Sequence, residues 1–162
     1  MTNPKRAWVP APLPEGFPPP VGPYTPAVRA GNLVFVSGQT PRDPVTGEIG
    51  AAELQVQARR TLHNLKHVIE AAGGTLEDIV SVTVYLANEE HWGEFNEVYK
   101  EFFTEPYPTR TAVGCQLRGI LVEVSAIAML GTSSGWKPAG TPTPSGPSGG
   151  SGKGFRPDMT LY

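Results

Sequence analysis

The chain has 162 residues, including 19 Gly and 18 Pro, and its 13 Lys and Arg against 15 Asp and Glu give a net charge of −2. This balance lacks the basic field that neutralising nucleic-acid phosphates requires, which argues against nucleic acid as a partner. The single cysteine cannot form an internal disulfide, and no apolar run suits a signal-peptide core or a membrane span. We therefore expect a cytoplasmic protein.

The prolines divide the chain into segments. Nine lie in residues 1–26 and five in 131–162, which leaves four between them. We predict a Pro-rich arm over 1–26, of which 16–26 leads into the domain, and one compact domain over 27–130. Beyond it we predict a flexible Gly/Ser/Pro linker over 131–154 and a docking peptide over 155–162. The docking peptide is expected to recruit a scaffold, a partner enzyme or a protein-shelled compartment through its large apolar residues, Phe155, Met159, Leu161 and Tyr162.

The domain begins with a predicted hairpin and a helix. Residues 27–30 and 33–39 are rich in β-branched and aromatic residues and flank Gly31-Asn32, which tolerates positive φ. Residues 53–72 predict a helix that Gly73-Gly74 ends, since glycine readily adopts the left-handed conformation found there. Its apolar stripe has helical spacing and consists of Ala58, Leu62, Leu65, Ile69 and Ala72.

The second half of the domain contains three predicted strands and another helix. Residues 79–87 alternate apolar and polar side chains, as a strand with one buried face does. Asn88 is placed to cap a helix with an apolar stripe of Trp92, Phe95, Tyr99 and Phe102. Strands over 110–117 and 121–130 follow. The order ββ-α-β-α-ββ predicts an α+β fold, a mixed sheet with two helices on one face.

Histidine and cysteine are the first candidates for chemistry. His63 and His67 lie four residues apart on the first predicted helix, so both could face one ion. No Glu follows His63 as a metalloprotease motif requires, and no third ligand is evident, so we predict no metal site. Cys115 is either a nucleophile or a small buried residue. Its alternation with Thr111 and Val113 in the predicted strand favours burial.

Arg110 and Glu123 are opposite charges inside otherwise uncharged predicted strands. Each is costly to bury alone. Two interpretations stay open. The pair is either a structural ion pair across neighbouring strands, or a functional pair in which the guanidinium grips a carboxylate and the carboxylate takes a proton from water.

Several separated motifs occur in one order over residues 16–130. They are Gly22-Pro23-Tyr24, Asn32-Leu33-Val34-Phe35-Val36-Ser37-Gly38-Gln39, Thr46-Gly47-Glu48, Glu70-Ala71-Ala72-Gly73-Gly74, Pro108-Thr109-Arg110 and Val122-Glu123-Val124. Together they resemble the Rid family of enamine/imine deaminases, also named YjgF or L-PSP domains. The resemblance implies a chorismate-mutase-like α+β fold, a homotrimer with clefts between subunits, and no metal or organic cofactor.

The resemblance also implies a reaction and the residues that perform it. Family members hydrolyse 2-imino or 2-enamino acids to 2-oxo acids and ammonia. Arg110 matches the arginine that binds the substrate carboxylate, and Glu123 matches the glutamate that activates water. Tyr24 and the Ser37-Gly38 turn match positions that line the same cleft.

Several positions depart from the family pattern, among them Thr25-Pro26, where Ser-Gln is commoner after the tyrosine. Ala112 stands where many relatives have cysteine, Thr111 follows the arginine, and Ser125 replaces a frequent acidic residue. These departures leave open a subgroup acting on another enamine, such as a 2-aminomuconate-like compound, or a non-catalytic module that binds small carboxylates. A ribonuclease or translation-inhibitor role, the source of the L-PSP name, is disfavoured by the acidic balance.

Overall fold

The computed structural model describes residues 6–131, so the predicted linker past Gly131 and the predicted docking peptide over 155–162 lie outside it. Within that range the helices are α1 (Leu54–Ala71) and α2 (Trp92–Phe102). The strands are β1 (Val9–Pro10), β2 (Ala27–Ala30), β3 (Leu33–Gln39), β4 (Ile79–Leu86), β5 (Thr109–Gly114) and β6 (Val122–Met129). The described strands form one sheet in the order β1-β2-β3-β6-β4-β5.

The predicted hairpin is confirmed. β2 and β3 pair antiparallel, and Gly31 in the turn has a φ of 63°. The arm that precedes them contributes an edge strand, because β1 pairs antiparallel with β2 through Val9 opposite Arg29. Pro10 suits this place, since an edge strand tolerates a residue without a backbone N–H. Residues of the predicted arm are therefore tied to the sheet.

The two predicted helices are confirmed to within a few residues. On α1 the predicted stripe is buried, and Gly73 follows the helix with a φ of 92°. Asn88 caps the 3₁₀ turn that precedes α2 and does not cap α2 itself: its Oδ1 accepts a hydrogen bond of 3.0 Å from the Glu90 N–H, whereas the N-cap residue of α2 is His91. This turn spans Glu89–His91 and leads into α2.

Two buried amides on α1, Gln57 and Asn64, hold the loops beside the sheet. Asn64 Nδ2 donates to the carbonyl oxygens of Thr40 and Arg42 at 2.9 and 2.8 Å. Gln57 Oε1 accepts a 2.8 Å hydrogen bond from the Leu121 N–H. The two amides thus supply hydrogen-bond partners to loop backbone N–H and C=O groups that would otherwise bond to water.

The sheet is mixed and carries its core on one face. β4 pairs parallel with β5 and antiparallel with β6. Alternate side chains of β6 are buried in the core that α1 covers, namely Val122, Val124, Ala126 and Ala128. The predicted α+β fold, a mixed sheet with two helices, is confirmed. No helix within residues 6–131 has the length and apolar character needed to cross a membrane.

Arg110 and Glu123 do not form the structural ion pair that was one of the two interpretations of the sequence; that interpretation is wrong. β4 lies between β5 and β6 in the sheet. The chain crosses through α2 to place β5 parallel to β4 at the sheet edge, and then returns to insert β6 between β3 and β4. β5 and β6 follow one another in sequence but are therefore not neighbours in the sheet.

Candidate functional site

Arg110 and Glu123 lie on opposite faces of the sheet. Arg110 is in register with Val82, and Glu123 with Tyr85 on the same strand. Positions 82 and 85 are an odd number of residues apart, so their side chains point to opposite sides. Val82 is buried in the core, which places Arg110 on the helix face. One chain thus holds two half-sites and does not bring its two predicted catalytic residues together.

We call the first group the carboxylate half-site; it comprises Tyr24, Ser37, Gly38 and Glu123. Its centre is a β-bulge. The pairing of β3 with β6 passes from Val36 opposite Ala126 to Gln39 opposite Val124, so β3 carries one extra residue there. Bulges of this kind redirect side chains and backbone next to active sites.

Two hydrogen bonds anchor the bulge to the Pro-rich arm. The Ser37 N–H donates to the Pro26 carbonyl at 2.9 Å, and Ser37 Oγ donates to the Thr25 carbonyl at 2.7 Å. Ser37 is therefore engaged in holding the arm against the sheet.

Gly38 makes room for the Glu123 carboxylate. A Cβ at position 38 would lie 2.8 Å from Glu123 Cδ and 3.0 Å from its Cγ, closer than side chains pack. The carboxylate is thus pressed against bare backbone. Burial raises the pKa of Glu123 above its ordinary value. A carboxylate with a raised pKa is a better base towards water than an exposed one.

Tyr24 and Gly38 line a common cavity of about 440 Å³. Its other walls come from the Pro-rich arm between Phe17 and Val21 and from the loop between Thr40 and Gly47. Tyr24 is 50% exposed. Ser37 and Glu123 do not line this cavity; Ser37 precedes Gly38 in β3, and Glu123 contacts Gly38.

We call the second group the guanidinium half-site; it comprises Trp92, Asn96, Tyr99 and Arg110. Arg110 Nη2 donates a 2.8 Å hydrogen bond to Asn96 Oδ1. Arg110 Cζ lies 5.2 Å from the centroid of the Trp92 ring and 4.8 Å from that of Tyr99. Arg110, Asn96 and Tyr99 line a cavity of about 400 Å³.

The sequence pattern missed Asn96 and misassigned Trp92. Trp92 is 46% exposed and contacts the guanidinium, so it is not part of a buried stripe. Asn96 lies four residues after Trp92 and three before Tyr99, a spacing that places the three on one side of α2. That spacing is the signal that identifies Asn96, once the helix is known to face Arg110.

Tyr99 is buried under Arg110. Burial raises the pKa of Tyr99 to about 12, so its phenol stays protonated near neutral pH. Its Oη is buried and makes no hydrogen bond with residues 6–131. The ring therefore presents a neutral face to the guanidinium.

Histidine and cysteine stand apart from both half-sites. Residues 6–131 contain no group of three His, Cys, Asp or Glu side chains that could hold a metal ion. The His63 ring instead packs edge-on against Phe102 with centroids 4.9 Å apart, and burial lowers its pKa. Cys115 is partly exposed beyond the end of β5, where its N–H donates to the Leu86 carbonyl at 2.9 Å. The predicted buried strand position of Cys115 is therefore wrong.

Comparison with known proteins gives matches over most of the domain. Residues 16–130 match a family model described as endoribonuclease L-PSP. The RutC family protein PH0854 of Pyrococcus horikoshii is 45% identical over 116 residues, which cover 70% of this chain and 92% of that protein. The 3-aminoacrylate deaminase RutC of Acinetobacter baylyi is 36% identical over 118 residues, covering 72% and 94% respectively.

A solved structure shares the fold at similar identity. The crystal structure of Escherichia coli TdcF with bound serine matches with a TM-score of 0.67 and 40% identity, covering 74% of this chain and 97% of that one. Family match, sequence relatives and fold agree over the same part of the chain. This chain belongs to the Rid (YjgF/L-PSP) family.

Proposed function

We propose that this protein hydrolyses reactive 2-imino and 2-enamino acids to 2-oxo acids and ammonia. The observation that carries the proposal is the pair of complementary half-sites. Burial raises the pKa of Glu123 beside Gly38, while Arg110 lines a cavity and forms no ion pair with a carboxylate within residues 6–131. Glu97 also lines this cavity, and its carboxylate is bonded to Lys100. A family relative is named as a deaminase of 3-aminoacrylate, which supports this class of reaction.

The reaction would take place between two copies of the chain. Because one chain holds Arg110 and Glu123 on opposite faces, a complete site needs Arg110 from one copy and Glu123 from its neighbour. The Glu123 face also carries apolar side chains that a neighbour would cover, including Phe35 at 39% and Val113 at 41% exposure. The homotrimer that we propose for this chain would form three equivalent clefts in a closed ring.

Arg110 would bind the substrate carboxylate. Asn96 occupies one N–H of the guanidinium, and the other N–H groups are available for a bidentate grip. This grip fixes the orientation of the imine carbon next to the carboxylate. Tyr24 would close the cleft over the substrate from the carboxylate half-site.

Glu123 would act as the general base. It takes a proton from water as the water oxygen bonds to the imine carbon. That proton passes to the nitrogen and gives a carbinolamine. Glu123 then transfers the hydroxyl proton to the nitrogen as the carbon–oxygen double bond forms and the carbon–nitrogen bond breaks, which releases ammonia and the 2-oxo acid. An enamine first gains a proton on carbon and loses one from nitrogen to become the imine. The sum is a hydrolysis with no change of oxidation state, and positioning with one base suffices for it.

Single and mixed variants test the proposal. Arg110→Ala and Glu123→Ala should each abolish acceleration of the decay of enzymatically generated 2-iminopropionate. If the two variants are mixed under conditions where subunits exchange, about a quarter of the clefts regain both residues. A return to about a quarter of the wild-type rate supports the shared cleft.

Two outcomes would contradict these claims. Wild-type rates in both single variants would exclude the assigned chemistry. If mass spectrometry shows exchanged subunits and activity does not return, the cleft is not shared between copies. An exposed pair, Arg59 and Glu101, offers the control, since Glu101→Gln changes surface charge on α2 at a position that does not line the Arg110 cavity.

A further inference from the structure

The guanidinium half-site holds a full positive charge with neutral groups alone. The partners of Arg110 within residues 6–131 are the Asn96 amide oxygen and the faces of Trp92 and Tyr99. Buried or half-buried arginines are usually paired with carboxylates. Aromatic faces attract a cation through their quadrupole and add no negative charge. The positive charge of Arg110 therefore stays available to an anion.

Asn96 holds the guanidinium where it also contacts the rings of Trp92 and Tyr99. A hydrogen bond of 2.8 Å to Nη2 restrains rotation about the last bonds of a long side chain. Asn96 is itself half-buried on a helix that packs into the core through Phe95, Val98 and Tyr99. The amide is thus a rigid acceptor, while arginine alone would sample many rotamers.

An amide at position 96 differs from a carboxylate in charge, and this difference affects the binding of an anion. Aspartate has nearly the same shape and would also accept from Nη2, but it would neutralise the guanidinium and compete with a substrate carboxylate. The nearby carboxylate of Glu97 is already engaged, because Lys100 Nζ donates to it at 2.9 Å. Neutrality at position 96 therefore keeps this cavity attractive to anions.

We propose that Asn96 is a positioning residue that holds Arg110 in place without neutralising it, and so sets the affinity of the site for carboxylates. The identity of the ligand rests on the proposed function. The restraint of Arg110 does not, since it is a property of the protein without ligand.

Asn96→Ala and Asn96→Asp separate positioning from mere packing. In Asn96→Ala, loss of a hydrogen bond to a charged group should weaken pyruvate binding and raise KM for 2-iminopropionate about tenfold, with kcat little changed. Asn96→Asp should be the worse variant, with a loss of about a hundredfold, because the added charge pairs with Arg110. Asn32→Asp in the β2–β3 turn makes the same chemical change at an exposed site and should leave both values unchanged.

A packing role predicts the opposite order, since aspartate preserves the shape of asparagine and alanine does not. If Asn96→Asp binds pyruvate as tightly as the wild type, or better than Asn96→Ala, the proposal is overturned. Asn96→Ser supplies a second neutral variant should Asn96→Ala fail to fold, and it is expected to lie between the wild type and Asn96→Asp.

The ligand-free protein gives an independent measurement. The Arg110 Nη–Hη NMR signals, assigned with Arg110→Lys, should show slow hydrogen exchange in the wild type and faster exchange in Asn96→Ala. Unchanged exchange in Asn96→Ala overturns the positioning role whatever the activity. If exchange changes as expected while the wild-type protein neither binds pyruvate nor turns over imines, the proposed function fails and the restraint of Arg110 stands.

Discussion

Replacing Gly38 with alanine should displace the Glu123 carboxylate, our proposed general base, while leaving the fold intact. The added Cβ would overlap Glu123 Oε1 and lie 2.8 Å from Cδ, whereas carbon atoms pack best at about 3.5 to 4.0 Å. The carboxyl group must therefore retreat by roughly 1 Å or more. A misplacement of about 1 Å in a catalytic group costs about a hundredfold in rate, or ~2.7 kcal/mol of transition-state stabilisation.

The cost to stability should be much smaller. The atoms that must move are the end of a flexible side chain, and Gly38 does not have a positive φ that alanine would resist. We expect a loss of about 1 kcal/mol or less in the free energy of unfolding. Gly114→Ala is the matched control, because its added Cβ would lie at an ordinary 3.6 Å from Glu89 Cβ.

The assay compares kcat/KM for 2-iminopropionate in the two variants and the wild type, with thermal unfolding recorded on the same samples. Gly38→Ala should lose about a hundredfold in kcat/KM while Gly114→Ala stays near the wild type. Should Gly38→Ala keep the activity of Gly114→Ala, the position of Glu123 beside Gly38 does not control the reaction. A collapse of the melting temperature in Gly38→Ala would equally refute the reasoning.

Three further predictions concern Arg110, Glu123 and the last residues of the chain. Arg110→Lys should not be conservative, because lysine lacks the planar fork and the ring stacking; steady-state kinetics should show KM raised about tenfold or more, and an unchanged KM would contradict the bidentate grip. Burial raises the pKa of Glu123, so the ionised carboxylate lowers the free energy of unfolding at pH values above the raised pKa. This loss of stability decreases as the pH falls through the raised pKa and is gone below the ordinary pKa of 4.5. Glu123→Gln should accordingly raise the melting temperature near pH 7 and lose this advantage near pH 4, whereas an advantage equal at both pH values would point to another cause. Deleting residues 155–162, proposed as a docking peptide, should abolish co-purification with a shell or partner enzyme and leave imine turnover unchanged; unaltered co-purification would exclude the docking role.

Local patterns predicted most of the secondary structure. The hairpin, both helices and the long strand β4 follow from side-chain periodicity and from glycine at turns, which act over a few residues. The motifs around Gly38, Arg110 and Glu123 likewise lie in short stretches, so the family resemblance, now shown by the match over residues 16–130, was visible in the sequence.

The tertiary structure decided the geometry of the site. Sheet order depends on how β6 inserts between β3 and β4, which no local pattern contains, and that order separates Arg110 from Glu123. The bulge at Ser37-Gly38 depends on the register of two strands far apart in sequence. The hydrogen bond between Asn96 and Arg110 forms only because α2 packs over β5 in the tertiary structure. The sequence by itself determined the elements and the chemical groups, whereas long-range packing decided which of those groups share a face.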